Sequence, residues 1–360
     1  MWLVASVLCT VPVTEPDSHA LQVVPIAVST PLGHVGAATA LADGRLIISD
    51  ARTPRVSIVD RVGRVQTIGS PGVGDGKYAE PGGFYQGPDG TILLLDRAGP
   101  RVLVIAPTGE FVRSFSAAQR GVQRSSEVDT DRTRLDAAGH AYFTRFTLAP
   151  AAMTADLVRL DPLTQRTEIL AKLGLPEMHT ISGGDGVTFG RSTIGSPADD
   201  WGVTPDGRVA VVRAKPYRLD WIAVDGTVVQ GPEIPYDRVP YTDADKRAFE
   251  AKMRSQPGLS VGRTGEGASV ADLPERYAAA KPPFFPDDVV VAPTGQVWVM
   301  RAMPFGAATA IYDVFDARGA RVDRVQFPAT SRIVGFALHA LFVREGGDGT
   351  PESLREYRWP

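Results

Sequence analysis

A recurring glycine turn limits what this chain can fold into. The segment ADGRLIISDARTPRVSIVDRVGRVQTI around Gly44 matches PDGTILLLDRAGPRVLVIAPTGEFVRSF around Gly90 at every landmark, which sets a period of 46 residues. Further turns fall at Gly139 (AAGHAYFTR), Gly207 (PDGRVAVVR) and Gly295 (PTGQVWVMR), and a sixth unit, ALHALFVRE, puts His339 in the turn. Spacings of 46, 49, 68, 88 and 44 residues place insertions after the third and fourth units. Within the second unit, GGFYQ, TILLL, RVLVIA and EFVRSF read as four short strands joined by tight turns. A lone sheet of that size buries too little to stand, so copies pack beside it. Four strands in about 40 to 50 residues is the period of a β-propeller blade.

The sixth unit offers three strands, at 332–338, 341–345 and 354–359, and needs a fourth. The apolar run QVVPIAVS at 22–29 has no other partner, so it is predicted to supply the outermost strand of that blade. Joining the first and last blades this way removes the exposed edges of an open array. The expected fold is therefore all-β: a six-bladed β-propeller over 21–360, closed by an N-terminal strand.

The glycine and proline of EPGGF, the turn Asp89-Gly90, the terminal Asp96 and the Arg101-Val102 that opens the third strand resemble NHL-type six-bladed propeller repeats. The likeness is clear in blades one and two, partial in four and five, and poor in three and six. Propellers of this kind include binding scaffolds, lactonases and lyases, so the resemblance implies an architecture and no single function.

Composition fits a single β domain, because 37 Gly and 29 Pro suit a fold with many turns. A formal charge of −3 points to no nucleic-acid partner, and one Cys allows no internal disulfide. No apolar run reaches the length of a membrane span, and a monomer is expected. Residues 1–20 read as a leader. Trp2 to Val13 form an apolar stretch, Ser18 and Ala20 are the small residues of a cleavage site, and a positive n-region is lacking. Secreted or periplasmic localisation is expected, with cytoplasmic as the alternative.

The insertions differ in kind. The first, 171–197, is rich in Gly, Ser and Thr and reads as an extended loop. The second, 236–283, contains TDADKRAFEAKM, in which Thr242 can cap, Asp243 and Asp245 sit in the first turn, and Ala248, Phe249 and Met253 share a side. That predicts a helix, with a second short one over 271–279. Both insertions join an outer strand to the next inner strand, so they are expected to form a partial lid over one mouth of the channel.

Candidate site residues lie on that face. Six residues after each turn position come Asp50, Asp96, Arg145, Arg213, Arg301 and Glu345. The three arginines form an arc that suits a small anionic ligand or a peptide carboxylate, since guanidinium pairs bidentately with such groups. The alternative is structural: each acid closes its local bend and pairs with an arginine such as Arg55 or Arg101. A second set, Asp131, Asp199 and Asp287 with neighbours Arg132, Asp200, Asp288 and Arg332, opens the inner strands. Asp131, Asp199 and Asp287 could hold calcium, or such acids could cap turns and pair with Arg132 or Arg332. His34 and His179 are the histidines expected to reach the lidded mouth. The leading expectation is a non-catalytic propeller that binds an anionic ligand or a protein on the lidded face. The alternative is a calcium-dependent lactonase-like hydrolase, or a lyase, working at the channel mouth. The resemblance implies for the lactonases a ligand set that uses asparagine, a residue this chain lacks.

Overall fold

A computed structural model of the protein describes residues 18–24, 26, 33–50, 52–99, 101–118, 128–149, 152–182, 188–255, 276–347 and 350–359. Within them, six antiparallel blades follow one another around a ring. Their inner strands are Ala37–Ala40, Pro81–Gln86, Val128–Leu135, Asp200–Val203, Val289–Val291 and Arg332–Ala337. The glycines at 44, 90, 139, 207 and 295 take φ between 72° and 89°, the left-handed region their turns require. Second strands such as Leu46–Asp50, Ile92–Asp96 and Val297–Met300 are buried at every position, because each blade face is covered by a neighbour. That explains their unbroken apolar runs. Outer strands such as Val228–Gln230 are exposed.

The core consists of six apolar clusters, one between each pair of neighbouring blades. Trp298, Tyr312 and Phe336 join blades five and six, while Trp221 and Phe315 join four and five. Tyr142 with Trp201 joins three and four, and Phe143 with Leu93 joins two and three. Val35, Ala38 and Ile48 meet Phe342 and Leu354 between blades one and six, which closes the ring. The inner strands come so close there that a β-carbon at Gly335 would collide with the Ala38 carbonyl oxygen. At Gly202 a β-carbon would strike the Val291 side chain.

The N-terminal segment closes the ring as expected, with Val23 opposite Tyr357 and Val24 opposite Glu356 on the outer edge of blade six. Most of the rest of the 22–29 run, and residues 1–17 of the expected leader, lie outside the described residues. His19 and Ala20, just before the expected cleavage point, run parallel to Val325 and Gln326 and add a fifth strand to blade five. No helix among the described residues is long and apolar enough to cross a membrane.

In the second insertion the helix Asp243–Ser255 forms. The Thr242 hydroxyl accepts from Asp245 N–H at 3.2 Å, and Thr242 N–H donates back to the Asp245 carboxylate at 2.8 Å, a capping box. Buried Lys281 fastens this helix to blade five by donating to Asp245 Oδ1 at 2.6 Å and Met303 O at 2.7 Å. The expected second helix falls partly outside the described residues. Its described end is not helical, because Tyr277 bridges Ile194 and Ala278 N–H donates to Ile194 O at 2.9 Å. That bridge ties the two insertions together. The first insertion is also less irregular than expected, since it contains the hairpin Met178–Ser182 and Thr188–Ser192.

Ring closure can be tested at its tightest contact. Gly335→Ala is expected to lower unfolding free energy by about 1–3 kcal/mol, as overpacking does, whereas Gly99→Ala, with open space around it, should leave the urea midpoint unchanged. Trp298→Ala is expected to cost about 3–5 kcal/mol, because the side chain is fully buried.

Candidate functional site

The residues that end the second strands are satisfied close to home. Buried Asp50 accepts from the N–H groups of Arg52 and Thr53 at 3.0 Å and lies 3.9 Å from Arg55. Asp96 accepts from Glu80 N–H at 2.8 Å and from Arg101 at 3.1 Å. Glu345 takes the Tyr357 hydroxyl at 2.8 Å and Arg355 at 3.3 Å. Arg213 donates to Asp199 at 2.8 Å, Asp220 at 3.0 Å and the Lys172 carbonyl at 2.8 Å. Arg145 lies 3.8 Å from Asp156, and the charge of Arg301 acts on buried Tyr217. None of these six residues lines the central channel.

The acids that open the inner strands divide differently. Asp199 is used by Arg213 and by the N–H groups of Gly174 and Ala214, at 2.7 and 3.0 Å. The side chain of Asp131 lies outside the described residues. Asp287 is 69% exposed, and Arg132 bridges it at 2.8 Å to buried Asp200 at 2.6 Å. Asp287 has φ 74°, unusual for a residue with a β-carbon, and its N–H donates to Asp200 at 2.9 Å. Burial pushes Asp200 up to about 6, against the pull of Arg132, the Trp201 N–H and Arg134. Burial likewise pushes Asp288 up to about 7, although Arg332 and the Phe285 N–H favour its charged form. Among the described residues no group of three His, Cys, Asp or Glu side chains gathers as a metal site.

The channel is a cavity of about 990 Å³ lined by inner strands from all six blades. Among the described residues its charged lining consists of Arg97, Arg134 and Arg344, with His34 and His339 as the histidines, and includes no carboxylate. His34 sits at the end of the channel away from the glycine turns, with Nδ1 2.8 Å from Glu352 and Nε2 3.2 Å from Arg344. A guanidinium only donates, so Nε2 accepts and the proton lies on Nδ1, facing Glu352. Burial opposes ionisation of Glu352, but His34 and the Val35 N–H hold its carboxyl below the usual range. Arg134 stacks over Trp201 at 5.9 Å and is charge-coupled to Tyr85, whose hydroxyl donates to the Thr133 carbonyl at 3.1 Å. Burial raises the Tyr85 phenol, so it serves as a donor. Of the two expected histidines, His34 reaches the channel, while His179 stays on the insertion hairpin, 3.4 Å from Thr193.

The sequence reasoning missed Arg97, Arg134 and Arg344. Arg97 follows Asp96 and Arg344 precedes Glu345, so the alternation of a strand turns them away from the neighbours that drew attention. The available signal for Arg134 was an arginine where the other inner strands carry Thr39, Tyr85, Gly202 and Val290.

No protein-family model and no curated protein sequence matches this chain. Among solved structures, it is similar to an exported protein of Bacteroides fragilis at 12% identity and TM-score 0.48, over 96% of this chain and 97% of that one. It is similar to the virginiamycin B lyase of Staphylococcus aureus at 10% identity and TM-score 0.40, over 94% and 99%. It is also similar to a calcium-binding regucalcin of Agrobacterium tumefaciens at 13% identity and TM-score 0.40, over 92% and 93%. Likeness this distant transfers no activity to this chain.

The raised carboxyls make stability depend on pH. Asp200 and Asp288 bind protons more tightly in the folded chain than at their ordinary value of 3.8, so their contribution is lost as pH rises through about 6 and about 7. Asp288→Asn should make the fall in urea midpoint between pH 5 and pH 8 shallower. An unchanged slope would refute the assignment.

Proposed function

We propose that this chain is a binding propeller that takes a small anionic ligand into its central channel from the lidded face. The observation that carries the reading is the charged lining, which among the described residues has three arginines and no carboxylate. Arg134 and Arg344 would meet the anion, and His34 would orient Arg344. The cavity is of ligand-binding size. The repeat pattern of blades one and two supports placing the chain near the NHL-type propellers, and the apolar run from Trp2 to Val13 supports export.

A second reading, an enzyme working at the channel mouth, is favoured by one observation. Burial raises both Asp200 and Asp288 above the ordinary carboxylate range, and the Asp200 charge raises Asp288 further, an arrangement suited to general acid and base roles.

Thermal-shift screening of anionic, neutral and cationic small molecules separates ligand binding from structural pairing. Only anions should stabilise the protein, and Arg134→Gln should weaken their binding by roughly 1.5–3 kcal/mol, the usual worth of a hydrogen bond to a charged group. Arg213→Ala should lower the melting point without changing the ligand effect, since Asp199, Asp220 and Lys172 already engage that side chain. Equal stabilisation by cations, or an Arg134 variant that binds normally, would sink the reading.

A further inference from the structure

The channel is polar in one half and apolar in the other, and the strand register shows where the change falls. Thr39, Tyr85, Arg134, Gly202, Val290 and Phe336 each stand one residue before the last paired position of their inner strand. They form one layer across the six blades, and all six line the channel. Arg134 is its single charge. Arg97, Arg344 and His34 lie on the side of that layer away from the glycine turns, at the ends of second strands or the start of an inner one. The next layer towards the turns is Ala40, Gln86, Leu135, Val203, Val291 and Ala337, which is apolar except for Gln86. Beyond it the lining includes Leu41, Ala42, Pro205, Pro293 and Leu338, with His339 the single titratable group.

The described lining therefore holds its arginines at and above the Arg134 layer and mostly apolar side chains below it, with Gln86, Thr91 and His339 as the polar ones. From Arg134 to the turns is about three residues of strand and turn, or about 10 Å at roughly 3.3 Å per residue. The wall from blades four and five, Gly202, Val203, Val290 and Val291, is apolar along this depth. An inorganic anion or a polyhydroxylated acid would satisfy the upper half and leave the lower half without a complementary partner.

We infer that the ligand of this channel is an amphipathic acid, with its carboxylate held at Arg134 and Arg344 and its hydrocarbon body lying along the valine wall towards Leu338. This rests on the anion-binding reading above and narrows it to a ligand class. The cations anchor the head, while the lower layers reward each methylene they remove from water. That second effect makes affinity depend on chain length.

Isothermal calorimetry on the full chain at neutral pH, with acetate, butanoate, hexanoate and octanoate, tests this directly. Octan-1-ol and octyltrimethylammonium serve as tail-matched probes without the negative head. The expected result is a Kd that tightens about fourfold per added methylene, the equivalent of about 0.8 kcal/mol each, until the channel is filled. The two uncharged or cationic probes should bind at least tenfold more weakly than octanoate. Arg134→Gln should shift the whole acid series to weaker binding and preserve its dependence on length. If the acids bind with affinity independent of length, the amphipathic assignment is overturned and the anion reading stands. If octan-1-ol binds as tightly as octanoate, the head-group assignment is overturned. If no acid binds, the anion reading itself fails. The length series on the unmodified protein decides the question even if the Arg134 variant does not fold.

Discussion

The structure depends on apolar burial between blades. No blade has a core of its own, because its second strand is apolar on both faces and each face needs a neighbour, so stability comes from six shared clusters. The cluster between blades one and six exists because an N-terminal strand completes blade six and because Gly335 lets the inner strands approach. An open array would leave two such faces in water and two unpaired edges. The channel is the consequence at the axis: six inner strands stand around it, and their side chains decide its character.

Charge is handled in two ways. Most acids and arginines are consumed within a blade or between neighbours, as when Asp313 accepts from Tyr217 at 3.0 Å and Arg324 at 3.2 Å while fully buried. Such pairs satisfy groups that burial would otherwise penalise, and they free no charge for a ligand. At the axis Arg97 lies 3.6 Å from Glu80 and Arg344 donates to the Val35 carbonyl at 3.0 Å, yet both, with Arg134, line a cavity in which no described residue is a carboxylate. Asp200 and Asp287, at the openings of neighbouring inner strands, are spanned by Arg132.

The insertions are fastened to one another and to the ring. The bridge between Ile194 and Tyr277 joins them, and the buried Lys281 to Asp245 pair pins the helix to blade five. A buried ion pair of this kind fixes position more than it adds stability, since removing either partner strands a charge. The insertions are therefore attached through specific polar contacts, while the blades are held by burial.

The turn period, the four-strand unit, the blade count, the closing strand and the helix at 243–255 were all legible in the chain, because each follows from local chemistry: glycine at positive φ, apolar runs, and a threonine cap with acids in the first turn. The local closure of Asp50 and Asp96 onto Arg55 and Arg101 was also legible as one of two alternatives. Which arginines meet the axis was not. Arg97 and Arg344 are chain neighbours of Asp96 and Glu345, and a step of one residue along a strand reverses the direction of a side chain. Arg213 was expected to face a ligand, but Asp199 and Asp220, brought beside it by the fold of blade four, hold it. Local sequence sets what a residue is and which element carries it. Only the packing of six blades around one axis sets what it faces, because burial and partners come from residues distant in the chain.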